Sequence, residues 1–434
     1  MRNLGITRNR ALRNGGNLDR SGRAKIASAA NNSTQIYAVG LLDALGFVQY
    51  LFDFNQTYFY AIILFVKLAI FMTSEWDFRS IVPAIPLLGT ILLGLTISSG
   101  VNSVDLIDVL RVVMAVFSII LTLVIINGDF KRYSIGLAAI GFAISALYII
   151  QYRTGSIVEV NDRLYFFGGS HPNLGGEILS VIVILATTTL KPRAFSALFL
   201  VSSYCCWLMQ SRASILAMIV SALLYAAFYV YSKFGKVHAT ISIFCLVVFG
   251  GLYLVIATSS GAEGPTKVIE FFYNSVFLVE DSYRGADSGL SGRDLNWYQT
   301  LEIIDTYFFA GAGIEYPRRL DILQPHNWFL YPVALFGLFG YFVIATMIHA
   351  LVKVTISNKD ELVRIVPILV LLMLNDRFMN MNINPLGIYV YLFARLYKPT
   401  PSHEAPQRRN YQAVRNRSRA KLIQRWRQVG RTSR

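Results

Sequence analysis

Three short strings in this chain carry side chains able to do chemistry on an anion. Ser291-Gly292-Arg293-Asp294 fits a capping box, with Ser291 as N-cap and Asp294 at the third helical position. Arg293 then falls in a first helical turn, where free backbone N–H groups and the helix dipole already favour negative charge. Its forked guanidinium matches phosphate oxygens, although a solvated arginine at a helix start is the plain alternative. Gln210-Ser211-Arg212-Ala213-Ser214 offers a second arginine, in a tight turn between two apolar segments. Charge at that depth is costly, so Arg212 either serves a ligand or snorkels to the interface. Pro325-His326-Asn327-Trp328 adds an imidazole able to take a proton from a hydroxyl, or to rest in an aromatic interfacial belt.

A second tier follows from Gly168-Gly169-Ser170-His171-Pro172-Asn173, which opens another apolar segment. His171 there either caps a helix or lines the same cavity, with Asn173 beside it. Glu177, one turn further in, is an intramembrane carboxylate and hence a binding candidate. His238, His349 and His403 receive no role. Cys205, Cys206 and Cys245 all fall in apolar segments, which implies neither a structural disulfide nor a zinc site.

These residues must be positioned by membrane helices. Hydrophobic residues fill 54% of 434 positions and charged residues only 15%, with a mean hydropathy of +0.49. Soluble domains carry about 25% charge. Apolar runs near 36–53, 58–72, 81–97, 109–126, 134–150 and 174–190 precede six more near 195–209, 213–231, 240–257, 328–350, 362–374 and 386–397. Several are shorter than the roughly 20 residues a spanning helix needs. The expected fold is an all-α polytopic membrane protein of about 12 transmembrane helices, comprising residues 36–397.

Charge sets the expected orientation. The net charge of +15 could suggest nucleic acid, but the excess crowds the tails, from Arg2 to Lys25 and from Lys398 to Arg434. The positive-inside bias and anionic headgroups explain that distribution, so no nucleic-acid partner is expected. With twelve spans, the basic connections at 127–132, 191–193, 233–236 and 353–364 fall on the same side as both tails. N- and C-termini are therefore read as cytoplasmic. The turn at Arg212, the segments 98–108, 151–173 and 375–385, and a long polar loop over 258–327 face outward. That loop, containing short helices, connects spans 9 and 10. The apolar residues Leu295, Trp297, Leu301, Ile304 and Phe308 predict an amphipathic helix on the membrane face. The outward loops hold no Asp-x-Asp pair suited to magnesium, so two arginines would serve a diphosphate without metal or other cofactor.

Residues 1–35 read as a disordered basic cytoplasmic extension, since they are rich in Arg and Asn and lack the apolar core of a signal peptide. Residues 398–434 form a basic tail. Tyr411, Val414, Leu422, Trp426 and Val429 could share one face of a helix lying on the inner leaflet; a disordered tail fits equally.

Taken with their order and sidedness, Ser211-Arg212, Ser291-Gly292-Arg293, His326-Asn327, Leu330 and Phe336-Gly337-Leu338-Phe339-Gly340 resemble the O-antigen ligase and polysaccharide polymerase superfamily. The motifs span residues 165–350. The resemblance implies a bacterial inner-membrane glycosyltransferase acting outside the plasma membrane on glycans carried by undecaprenyl diphosphate. By the same resemblance, Arg212 and Arg293 bind the donor diphosphate and His326 activates the acceptor. Arg318 and Arg319, after Gly311-Ala312-Gly313, are candidates for further phosphate contacts, and Asn327 joins the substrate-binding set. The acceptor is another lipid-linked repeat unit in a polymerase and lipid A-core in a ligase. The chain lacks the acidic residue that many ligases carry before the glycine pair, which favours the polymerase. A chain-length regulator is a further partner to consider.

Twelve spans with both ends inside also describe secondary transporters and lipid-linked oligosaccharide flippases. Those often join two similar halves by a long central connection. Here the centre, Lys191-Pro192-Arg193-Ala194, is short, and the long loop is late and outward.

Overall fold

The computed structural model describes residues 20–48, 55–74, 76–102, 104–157, 159–160, 163–167, 172–259, 293–322, 324–374 and 383–397. Residues 1–19 of the expected extension 1–35, the expected tail 398–434, most of the long loop and the connection at 375–382 lie outside the described residues. Residues up to Leu396 form one compact unit; the chain from Tyr397 is a second, of which only Tyr397 is described.

The described residues are helical almost throughout. In order come α1 (Arg20–Ala44), α2 (Gln56–Met72), a 3-10 segment (Phe78–Ala84) running into α3 (Ile85–Asn102), α4 (Leu106–Ile126) and α5 (Phe130–Arg153). A hairpin of two-residue strands follows, β1 (Glu159–Val160) antiparallel to β2 (Arg163–Leu164). Then come α6 (Pro172–Ala186), α7 (Pro192–Leu208) and α8 (Arg212–Ser259), the last broken at Gly235 by a φ of 83°. Beyond the loop lie α9 (Arg293–Thr306), α10 (Tyr316–Arg319), α11 (Tyr331–Phe336), α12 (Leu338–Ser357), α13 (Leu362–Leu374) and α14 (Ile383–Leu396).

Local chemistry sets many of these boundaries. Asp105 caps α4 by accepting from the Ile107 N–H at 2.9 Å, and Asp129 caps α5 by accepting from Arg132 at 3.2 Å. Pro192 opens α7 from a first-turn position where its missing N–H costs nothing.

The described parts of the twelve apolar runs lie largely on helix, but the helices differ in length. Five described helices are long and apolar enough to cross a membrane: Phe78–Asn102, Leu106–Ile126, Phe130–Arg153, Arg212–Gly235 and Leu338–Ser357. The run read as 328–350 is two helices, because Gly337 (φ 55°, ψ −125°) interrupts it. At the other end, α1 starts at Arg20, inside the segment read as a tail.

The bundle is organised around α6. Every residue from Leu174 to Ala186 is buried, as expected for a helix enclosed on all sides. Its neighbours are α5, α7, α8, α13 and α14. Around the outside the usual polarity is reversed, with Ile62, Phe65, Leu93, Phe117, Leu200 and Phe342 all exposed. An apolar exterior of that extent suits acyl chains rather than water.

Candidate active site

The His326 turn is held from both sides. Upstream, the indole Nε1 of Trp297 on α9 donates to the Pro325 carbonyl at 2.6 Å. Downstream, Asn327 Oδ1 accepts from the N–H groups of Phe329 and Leu330 at 2.9 and 3.3 Å, and the Asn327 carbonyl accepts from Tyr331. Asn327 thus spends its side-chain oxygen on shaping the turn into α11. Trp328 is buried, its N–H donating to the Leu372 carbonyl of α13 at 2.8 Å and its indole to the Tyr389 hydroxyl of α14 at 3.1 Å. Between these anchors His326 is half-buried and takes a left-handed φ of 46°. Such a backbone costs about 1–3 kcal/mol in a non-glycine residue and persists only where neighbours impose it.

Arg293 is the first residue of α9, one helical turn before Trp297 and so about 6 Å along the axis. The Trp297 bond therefore ties the helix that Arg293 opens to the turn that carries His326. A second clamp closes the other end of α9. Ala312 and Gly313 donate to the carbonyls of Ala334 and Leu335 at 2.7 and 3.1 Å, and Leu338 donates to Phe309 at 3.3 Å. Here backbone lies on backbone: a Cβ on Gly337 would come within 2.6 Å of the Gly311 nitrogen. Both glycines have positive φ, so the Gly311-Ala312-Gly313 and Phe336–Gly340 strings form one contact.

The apolar residues expected on one face of α9 divide between its two sides. Leu295, Leu301 and Phe308 are exposed, whereas Asn296 and Thr300 are buried with Ile303 and Ile304. The helix packs a partly polar face against α11 and leaves its leucines outside. The expected N-cap, Ser291, lies outside the described residues.

Arg212 opens α8 on a separate support. Gln210 before it also takes a left-handed φ, 52°. The buried Ser211 bonds Ser214 Oγ at 2.9 Å, and its N–H donates to the Cys206 carbonyl at 2.9 Å. This turn docks on α6 at Gly176, where a Cβ would collide with Ser211 Oγ. Glu177, the next residue, is buried, and Asn173 one turn before it is half-buried. Arg212, Asn173 and Glu177 therefore gather at the same end of α6. That helix packs on α13 and α14, the two helices that anchor Trp328, so the two supports share a wall. His171 lies outside the described residues.

The adjacent arginines have different surroundings. Arg319 donates to the Asn102 carbonyl at 2.9 Å, to Asn102 Oδ1 at 3.2 Å and to the Ala312 carbonyl, bracing the glycine strap against α3. Arg318 is 88% exposed at its side chain and stands 4.0 Å from Glu315. Among the described residues, Asp105, Asp108 and Glu315 bring carboxylate oxygens within 4.8 Å of one another and could hold a cation. Asp105 is already a helix cap and Asp108 pairs with Arg111 at 2.7 Å. A hydrogen bond shared with Asp108, partial burial and the Asp105 charge push the Glu315 carboxyl above its ordinary range, against the pull of Arg318. Sequence reading missed this group because some two hundred residues separate its members, a distance typical of nothing but tertiary contact.

Apolar helices long enough to cross the bilayer, with a polar site at their ends, define an integral membrane protein. Residues 197–345 match the family model described as O-antigen ligase, so this part of the chain is similar to that family. The match begins in α7, spans α8 with Arg212 and α9 with Arg293, and ends in α12 beyond His326. It supports a glycan-processing membrane enzyme of the glycosyltransferase type. No curated protein and no solved structure matches the chain.

Proposed function

We propose that the chain polymerises a surface polysaccharide on the extracytoplasmic face of the bacterial inner membrane. In this reading it spans the membrane twelve times, with both termini in the cytoplasm. The donor is a glycan on undecaprenyl diphosphate and the acceptor is a hydroxyl of another lipid-linked repeat unit. His326 takes the hydroxyl proton as the oxygen attacks the anomeric carbon. The bond from that carbon to the diphosphate breaks, and Arg212 and Arg293 hold the charge of the leaving undecaprenyl diphosphate. Stabilising that charge is the largest contribution to the rate. A single displacement inverts the anomeric carbon. Arg318, Asn173, Glu177 and His171 remain candidates for holding sugar or phosphate.

The observation that carries this reading is the bond from Trp297 to Pro325, which joins the helix opened by Arg293 to the turn of His326. A ligase that transfers to lipid A-core is the second reading, favoured by the description of the matching family model.

The test uses the purified full chain with an undecaprenyl-diphosphate repeat unit and a chelator, with products resolved on a gel. A ladder from the donor alone, lost in Arg293→Ala, is the expected result. A single addition that requires lipid A-core would replace polymerase by ligase. Activity restored only by added magnesium would overturn the metal-free leaving-group step. No product with either acceptor from authentic donor would sink glycan transfer and return weight to transport.

A further inference from the structure

Helices α7 and α8 run antiparallel and leave an apolar groove between the start of one and the far part of the other. The groove holds about 390 Å³ and is lined by Pro192, Phe195, Phe199, Leu200, Tyr225 and Tyr229. Its floor is aromatic and fixed. Phe195 lies 4.5 Å from Tyr225 and 6.3 Å from Phe199 between ring centroids, and the Tyr225 hydroxyl donates to the Leu190 carbonyl at 2.9 Å. Leu200 and Tyr229 are exposed at its mouth.

One end of this groove is basic. Lys191 and Arg193 flank Pro192, and both are exposed. Across the groove, the Lys233 ammonium stands 5.8 Å from the Tyr229 ring centroid and 5.0 Å from that of Phe234. Among the described residues at this end of the bundle, the carboxylate of Glu361 is already matched by Arg364 at 2.8 Å and Arg395 at 3.3 Å. The rim is therefore positive, and it adjoins the apolar groove.

We propose that the groove binds an acidic glycerophospholipid, with an acyl chain over Phe195, Phe199 and Tyr225 and the phosphate among Lys191, Arg193 and Lys233. Charge complementarity selects this occupant. The chain's own tail from Lys398 onward is strongly basic and would be repelled by the rim. A polybasic rim at a membrane surface draws anionic headgroups at about 1 kcal/mol for each Lys or Arg. The groove volume falls in the range of small-ligand sites rather than of a docked helix. The proposal depends only on membrane residence, not on the glycan-transfer reading, because none of these residues belongs to the candidate active site.

Native mass spectrometry of the full chain, released from nanodiscs that mix phosphatidylglycerol with phosphatidylcholine, tests this directly. The expected result is retention of one phosphatidylglycerol in preference to phosphatidylcholine. Replacing Lys191, Arg193 and Lys233 together by glutamine should lower that preference roughly a hundredfold, about fivefold for each charge. Ala226→Trp, which fills the groove and keeps every charge, should also abolish retention. Equal retention of the two lipids by the wild-type chain overturns the proposal, as does a triple variant that still discriminates. Displacement of phosphatidylglycerol by undecaprenyl phosphate at equal concentration would assign the groove to a polyprenyl chain instead.

Discussion

Asp43 and His326 both belong to polar groups in an apolar bundle, yet their surroundings are opposite. Asp43 on α1 is buried, ion-paired to the buried Lys67 of α2, and accepts from the Tyr133 hydroxyl of α5 at 2.8 Å. Lys67 also donates to Ser118 and to Thr122 of α4, the latter at 2.9 Å. Four helices thus contribute to one closed group in which each charge meets its counter-charge inside the protein. The His326 turn has its backbone fixed by Trp297, Asn327 and Trp328 while the imidazole stays half-exposed on left-handed backbone. A closed charge group serves the fold, because low dielectric makes any single member costly to leave alone. A rigid turn that keeps an ionisable ring half-exposed is the arrangement the proposed reaction needs.

The sharpest test of that difference sets one substitution in each region against the other. His326→Ala should lower glycan transfer by about 10²–10⁴ and leave the thermal midpoint in detergent close to wild type. If the midpoint collapses with the activity, His326 belongs with Asp43 as a structural residue.

Lys67→Met should do the reverse. Removing one partner of a buried ion pair costs about 3–5 kcal/mol, because the Asp43 carboxylate is left uncompensated. Thermal unfolding should register that loss, while the fraction that still folds keeps its turnover number. Lys67→Met combined with Asp43→Leu should recover most of the stability. Should the double variant fold well and yet lose transfer, the closed group has a role in turnover and the contrast with His326 fails.

Trp297→Phe probes the link between the two arms of the site. It keeps the ring but removes the donor to the Pro325 carbonyl, worth about 0.5–1.5 kcal/mol. The expected result is a transfer rate about tenfold lower with an unchanged KM for the acceptor, since α9 and the His326 turn would drift apart. An unchanged rate would mean that the glycine strap alone holds them.

Much of this arrangement was legible in the residues themselves, where one-dimensional hydropathy is enough. The helices follow the apolar runs because in lipid the backbone must satisfy its own hydrogen bonds. The turns at Arg212 and His326 stood out because polar residues interrupt those runs. What hydropathy could not reveal was orientation around a helix axis. Asn296 and Thr300 are buried and Leu295 is exposed, since a helix at a membrane surface need not turn its leucines inward. Pairings between distant residues were equally hidden, which is why Asp43 with Lys67 and Trp297 with Pro325 emerge only in three dimensions. Trp297 had counted as one more apolar residue, and its indole N–H turned out to be the informative atom.

Arg318 and Arg319 carry the same contrast into neighbouring residues, and they give the smallest expected effects. Both are arginines on the one-turn helix α10, identical to any reading of composition. Both are exposed, but Arg319 points its donors at Asn102 and Ala312 and so resembles the closed group, while Arg318 stands 4.0 Å from Glu315 and resembles the site. Arg319→Gln should cost about 0.5–1.5 kcal/mol in thermal stability, because the carbonyls it braces lose charged donors that water only partly replaces. Arg318→Gln should change stability by less than about 0.5 kcal/mol, as an exposed pair 4.0 Å from Glu315 contributes little. If Arg318 touches donor phosphate, its loss appears as a raised KM for donor at unchanged stability. A raised donor KM in Arg319→Gln alone, with full stability, would reverse the assignment and put the hydrogen-bonded strut, not Arg318, on the substrate.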